Sequence, residues 1–136
     1  MSFVVDAAMV ASWLLPDCTP PAEALLERAL AAPPLAPDLM RHELRGLILE
    51  AVRRARVSAD FVPWALARFA ELLIGNAGPG DDARVLDLAT AHGLSAQDGA
   101  YLALARERAL PLATLDRRLA QAARREALDI IGPLAT

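Results

Sequence analysis

Four carboxylates stand in this chain where acids could do chemistry: Asp6, Glu43, Asp98 and Asp116. Asp6 ends the apolar run Phe3-Val4-Val5, and Asp116 ends the apolar run inside the stretch LATLDRRL. In parallel α/β folds the functional crevice opens beyond the carboxyl ends of the strands, so both acids fall at its expected rim. Glu43 and Asp98 stand near the starts of helical patterns. Each acid alone also has an ordinary structural reading, because the helix dipole favours a carboxylate at a helix N-terminus, where it caps unpaired N–H groups. Converging on one crevice they would repel each other, by about 4 kcal/mol for a pair at about 4 Å and an effective dielectric of about 20. Such a cluster needs a cation or protons. Oxygen-only ligation, without His or Cys, suits Mg²⁺ or Mn²⁺, and a site of that kind hydrolyses phosphodiesters by activating water and stabilising the leaving oxygen.

LATLDRRL continues from Asp116 directly into Arg117 and Arg118. Arginines in a first helical turn oppose the macrodipole, at about 0.3–1 kcal/mol each when exposed, and they make sense beside a bound polyanion. Arg41 and Arg45 flank Glu43 and could serve the same end, since phosphate contacts position a nucleic acid without reading its sequence. The alternative for each is a solvated surface side chain.

These residues need elements to hold them. Val4-Val5 reads as a buried parallel strand, followed by a helical pattern over residues 7–15 that stops at Pro16. Residues 22–32 form an amphipathic stretch with Leu25, Leu26, Ala29 and Leu30 on one side. Residues 35–37 read as a brief strand or connector. The best-defined helix follows, with Met40, Leu44, Leu47, Ile48, Ala51 and Val52 as its apolar stripe and Glu43, Gly46 and Glu50 along the edge. Ser58 is a candidate cap for a helix over residues 59–73 with Val62, Leu66, Phe69, Ala70 and Leu73 in period, and Trp64 lies off that stripe. Residues 75–80 read as a loop, and Asp81 or Asp82 as the cap of a helix reaching His92 and stopped by Gly93. Another helix starts at Ser95, with Asp98 in its first turn and Tyr101, Leu102 and Ala105 on its apolar side. Residues 112–115 read as a strand, 117–126 as a helix and 129–131 as a last strand. Strands alternating with helices indicate an α/β fold with a small, mostly parallel sheet, read as one domain over residues 1–136.

Composition bounds the rest. The chain has 136 residues, 55% hydrophobic, with a formal net charge of −3, which argues against a constitutive nucleic-acid coat protein but not against a nucleic-acid enzyme with local basic groups. All 14 basic residues are arginines, so mechanisms that need a lysine amine are excluded. This removes a response-regulator receiver and a haloacid-dehalogenase-like phosphatase, both of which use a lysine; the phosphatase also needs an aspartate where Ala8 stands. Cys18 is the single cysteine and reads as a loop or packing thiol. His42 and His92 have no ligand spacing and read as surface or capping residues. Trp13, Phe61, Trp64 and Phe69 are not spaced as a base-stacking platform; a partner-docking patch among Trp64 and residues 22–32 is equally readable as core. No apolar run is long enough to span a membrane and no signal peptide pattern opens the chain, so a cytoplasmic location is expected.

Four segments in order, FVVDAAMVASWLLP, APDLMRHELRGLIL, HGLSAQDGAYLALA and LPLATLDRRL, resemble the PIN-domain ribonucleases, specifically the VapC-type toxins of toxin-antitoxin pairs. The resemblance implies a parallel sheet with helices on both faces. It implies Mg²⁺- or Mn²⁺-dependent endoribonuclease activity at an acidic quartet of Asp6, Glu43, Asp98 and Asp116, with Thr114 assisting the metal shell. It further implies a homodimer, an RNA substrate and inhibition by a cognate antitoxin protein. Two positions depart from the pattern: Ala8 stands for a small polar residue, and Gly46 for an Asn three residues after the Glu. A degenerate PIN domain that binds RNA or protein without catalysis is therefore the alternative. A glycine in mid-helix costs roughly 1 kcal/mol against Ala, which close approach of another backbone would explain.

Overall fold

The computed structural model describes residues 2–16 and 18–135. Its centre is a five-stranded sheet in the order β3-β2-β1-β4-β5, every neighbouring pair parallel. The strands are β1 (Val4–Val5), β2 (Leu35–Ala36), β3 (Gly75–Asn76), β4 (Leu112–Ala113) and β5 (Ile130–Ile131). The helices are α1 (Ala7–Leu14), α2 (Pro20–Ala31), α3 (Leu39–Arg53), α4 (Phe61–Glu71), α5 (Asp82–His92), α6 (Ala96–Arg108) and α7 (Arg117–Arg125). The chain moves outward from β1 through β2 to β3, then crosses to β4 on the other side of β1. Right-handed crossovers therefore put α1–α4 on one face and α5–α7 on the other. The helix packing agrees, with α1 against α2, α3 and α4, and α6 against α5 and α7.

The strand reversal creates a topological switch between β1 and β4, which are in register with Val4 opposite Leu112 and Val5 opposite Ala113. Phe3, Val4, Val5, Leu112 and Ala113 are fully buried, the continuous apolar pattern of strands covered on both faces. Backbone bonding continues one residue further, from Asp6 N–H to the Ala113 carbonyl at 3.2 Å. The two strands thus deliver Asp6 and the Thr114–Asp116 turn side by side.

Three expectations need correction. Residues 75–80 are not all loop, because Gly75-Asn76 is the edge strand β3. Its pairing is carried by the main chain, with Gly75 N–H on the Pro34 carbonyl and Ala77 N–H on that of Ala36, both at 2.9 Å, so no apolar alternation announces it. A Cβ on Gly75 would come within 2.7 Å of Leu35 Cδ2, so a larger residue there would require the Leu35 side chain to move. In α4 the buried residues are Ala65 and Phe69, followed by Leu72; Leu66 and Leu73 are 47% and 71% exposed. The helix begins at Phe61 after a backbone turn onto the Ser58 carbonyl, not a side-chain cap, and Leu73 leaves it with φ 52. In α2, Leu25 and Ala29 are buried but Leu30 is 55% exposed, one step beyond the face that α1 covers.

The α3 stripe packs as expected, with Met40, Leu44, Ile48 and Ala51 buried against α1 and the core. Trp13 is core and donates from Nε1 to the Ala22 carbonyl at 2.8 Å, tying α1 to α2. Among the described residues no helix is long and apolar enough to cross a membrane.

Candidate active site

Asp6 is the N-cap of α1, and its Oδ1 accepts from Met9 N–H at 2.9 Å. Its Oδ2 accepts a short hydrogen bond from the Thr114 hydroxyl. Thr114 Oγ1 in turn accepts from Asp116 N–H at 2.9 Å. Asp116 is the N-cap of α7, accepting from Arg118 N–H at 2.8 Å and Leu119 N–H at 3.3 Å. One buried hydroxyl therefore links two acids 110 residues apart, each locked at a helix start. Both acids cap helices, and the capping is what aims them toward a common cleft.

Asp98 lies in the first turn of α6, where Ser95 caps it by accepting from Asp98 N–H at 3.1 Å. Gly99 sets how closely this turn approaches α5: a Cβ there would lie 2.9 Å from the Val85 carbonyl oxygen and 3.0 Å from Ala89 Cβ. Glu43 projects from α3 on the other face of the sheet, and its Oε1 accepts from the Tyr101 hydroxyl at 2.6 Å. Tyr101 is one helical turn beyond Asp98, so α6 contributes one acid and holds another.

The four acids line one cleft of about 480 Å³ with Ala7, Ala8, Gly46, Leu47, Glu50 and Tyr101. No arginine or histidine is among these lining residues. Burial, opposed by the Thr114 and Met9 bonds and reinforced by the charges of Asp98 and Glu43, pushes the Asp6 carboxyl up to about 6. Glu43 is raised by burial first, against its bond from Tyr101, and Asp98 by burial and then by Asp116. Burial and the Glu43 bond push the Tyr101 phenol above its ordinary value, so it remains a donor at neutral pH.

The donor set is hard oxygen throughout. As placed, no three of these groups converge on a single ion position among the described residues. This still fits Mg²⁺ or Mn²⁺, because Mg²⁺ in particular keeps several waters and is held through one or two carboxylates plus substrate phosphate oxygens.

The arginines divide. Arg118 donates to the Gly93 carbonyl at 2.7 Å, bracing the α5–α6 turn against α7, and its charge lowers the Asp98 carboxyl. Arg41 stacks over the Phe69 ring at 5.1 Å and lines a separate pocket beside Asn76. Neither Arg41 nor Arg45 lines the carboxylate cleft. His42 is exposed, as expected. His92 is not a surface residue: its side chain is 8% exposed and its Nε2 lies 2.7 Å from Glu126 Oε2. Cys18 is exposed, a loop thiol. Gly46 also differs from expectation, since nothing lies within 4 Å of where its Cβ would be. No backbone approaches it, and it leaves the cleft wall open. Tyr101 is the cleft residue that the apolar pattern conceals; its signal is the three-residue spacing from Asp98.

No protein-family model and no curated protein matches the sequence. Solved structures share its architecture, two of them as follows. PAE2754 from Pyrobaculum aerophilum superposes with a TM-score of 0.73 at 19% sequence identity, covering 91% of this chain and 81% of that one. FitAcB from Neisseria gonorrhoeae superposes with a TM-score of 0.59 at 22% identity, covering 98% and 99%. The fold is PIN-like, a parallel sheet flanked by helices on both faces.

Proposed function

We propose that the protein is a divalent-metal-dependent endoribonuclease of the VapC type, the toxin of a toxin-antitoxin pair, working as a homodimer and held inactive by a cognate antitoxin. The observation that carries this reading is the cleft at the β1/β4 switch, where Asp6, Glu43, Asp98 and Asp116 come together with no Arg or His among the lining residues. Carboxylates left this way at neutral pH call for an external positive charge. The PIN-like fold and the four motifs in order support the same conclusion.

In this reading Asp6, Glu43, Asp98 and Asp116 hold Mg²⁺ or Mn²⁺, which when bound supplies the electrostatic stabilisation for hydrolysis of an RNA phosphodiester. The chain's own residues do the positioning. Thr114 fixes Asp6 relative to the Asp116 backbone, and Tyr101 fixes Glu43 by donating to it. Outer-layer partners of this kind are each worth about 10–100-fold in metal affinity or activity. Arg117, Arg118, Arg41 and Arg45 are the phosphate-contact candidates, none of them lining the cleft itself and Arg117 and Arg118 following directly on Asp116.

The test is cleavage of a mixed cellular RNA pool by purified protein with Mn²⁺, with Mg²⁺ and with chelator, beside Asp98→Asn. The expected result is cleavage that both chelator and Asp98→Asn abolish, the variant losing at least about 100-fold because a ligand should matter no less than its supporting shell. The second reading, a non-catalytic binding module, draws on Ala8 and Gly46 in the cleft wall and on the absence of a converged trio of ligands among the described residues. RNA binding with wild type and Asp98→Asn equally inert would establish it instead.

A further inference from the structure

Helix α7 carries four arginines in nine residues, in a chain whose net charge is −3. Its buried side is Leu119, Ala120, Ala122 and Ala123; Arg117, Arg118, Gln121, Arg124 and Arg125 lie on its outer side. These do not form one undivided patch. Arg118 turns to the Gly93 carbonyl, whereas Arg117, Gln121 and Arg124 line a groove of about 500 Å³ walled by Pro133 and Leu134. No carboxylate lines that groove among the described residues.

Two features point to a polyanion. Arg117 sits in the first turn, where the helix dipole disfavours a cation, and it lacks the bracing bond to Gly93 that accounts for Arg118. Arg124 donates one N–H to the Leu134 carbonyl, which orients its guanidinium at the groove wall and leaves further donors of the fork available. Arg117, Gln121 and Arg124 follow one another at helical spacing along one stripe, the two arginines about 10 Å apart by the helical rise. Arg117 adjoins Asp116, so the stripe begins at the rim of the carboxylate cleft.

We propose that this groove carries the single-stranded RNA away from the cleft, with Arg117 and Arg124 each holding a backbone phosphate and Gln121 bonding the strand between them. The proposal rests on the ribonuclease reading and adds to it the path of the substrate. Phosphate contacts fix register without reading bases, so the groove supplies affinity and leaves the choice of cleavage sequence to the cleft.

The experiment is fluorescence anisotropy of a labelled mixed-sequence single-stranded RNA with the full chain across a salt titration, in chelator, together with cleavage kinetics in Mn²⁺. Arg117→Ala/Arg124→Ala should weaken binding at least about tenfold at low salt. It should also reduce the slope of log K against log salt by about 1.4, which is about 0.7 for each of the two phosphates no longer neutralised. In cleavage, KM rises with kcat and the cleavage pattern unchanged. Arg117→Lys/Arg124→Lys should restore the slope, and Gln121→Glu, which leaves the Arg124–Leu134 bond in place, should weaken binding. Arg53→Ala/Arg84→Ala removes two exposed arginines elsewhere and should leave the slope unchanged. A wild-type slope and affinity in Arg117→Ala/Arg124→Ala, with cleavage intact, overturns the groove and spares the nuclease. An equal reduction in Arg53→Ala/Arg84→Ala also overturns it, as a general charge effect. Wild type that neither binds nor cleaves RNA overturns both.

Discussion

Glu126 and Asp6 are both carboxylates set among packed helices, and the protein treats them oppositely. Glu126 receives Arg106 on one oxygen and His92, at 2.7 Å, on the other, so α5, α6 and α7 meet around a compensated charge. Asp6 is 6% exposed and receives only a hydroxyl and a backbone N–H, while its charged neighbours are Asp98 and Glu43. At Glu126, which holds helices together, an arginine of the chain and an imidazole contact the carboxylate. At Asp6, in the switch-point cleft, no cation among the described residues makes contact, and the compensation is left to a proton or an external ion.

The widest separation between the two regions should appear in paired neutral substitutions. Asp6→Asn should reduce RNA cleavage by at least about 100-fold, as expected for a metal ligand, while raising the melting temperature measured at pH 7.5 in chelator. The gain is the relief of burying a charge, on the order of 2–3 kcal/mol for a carboxyl displaced from 3.8 to about 6, less about 1 kcal/mol for a poorer contact with Thr114. Glu126→Gln should do the reverse: cleavage within a few-fold of wild type, and stability lower by about 1–2 kcal/mol because Arg106 and His92 are deprived of their common partner. Thermal denaturation and a cleavage assay on both variants check it. Two variants that lose both stability and activity would erase the distinction.

A titration sharpens the same contrast without mutation. The folded-state value of Asp6 is raised, so folded protein keeps a proton that the unfolded chain has released. Its contribution to stability is full below about 3.8 and is lost as pH rises through about 6. Glu43 and Asp98 shift in the same direction. In chelator, stability should therefore fall across that window, by on the order of 2–3 kcal/mol from Asp6. A divalent ion binding the charged form reverses the trend, adding about 2.7 kcal/mol at a concentration about 100 times its Kd. Mn²⁺ should raise the melting temperature at pH 7.5 and have little effect at about pH 5, where Asp6 keeps its proton. Equal effects at both would place the ion elsewhere.

What the chain discloses in advance follows from how each part is encoded. Val4-Val5 and Leu112-Ala113 announce central strands because both faces are covered, and Asp6 and Asp116 follow from the abrupt polar stops. Asp98 is visible through its cap at Ser95, and Glu43 through its place at the edge of a clean stripe. The strand Gly75-Asn76 is not legible, since its stabilisation is backbone pairing and a glycine's lack of bulk. The α4 face misleads because Leu66 and Leu73 keep the helical period without being buried. Tyr101 reads as core because the apolar ring is core; only the far acceptor, Glu43, reveals the hydroxyl's use. Arg118 likewise needs the position of Gly93 before its bracing role can be seen. Local pattern encodes elements and caps, and pairings between distant side chains wait for the fold.

The smallest expected effect separates two helical glycines that pattern alone cannot tell apart. A Cβ on Gly99 meets the Val85 carbonyl and Ala89, so Gly99→Ala must part α5 from α6, at about 1–3 kcal/mol of overpacking that outweighs the helix-propensity gain of about 1 kcal/mol. That displacement also moves the first turn of α6, and Asp98 with it. A Cβ on Gly46 meets nothing within 4 Å, so Gly46→Ala keeps the propensity gain and should stabilise by up to about 1 kcal/mol. Denaturant melts of the two variants should move in opposite directions. If Gly46→Ala also leaves cleavage unchanged, the open wall at Gly46 is a vacant flank of the cleft and not a surface on which the substrate rests. A fall in cleavage with the stability gain retained would mean that the strand passes within a methyl group's reach of α3, between Glu43 and Glu50.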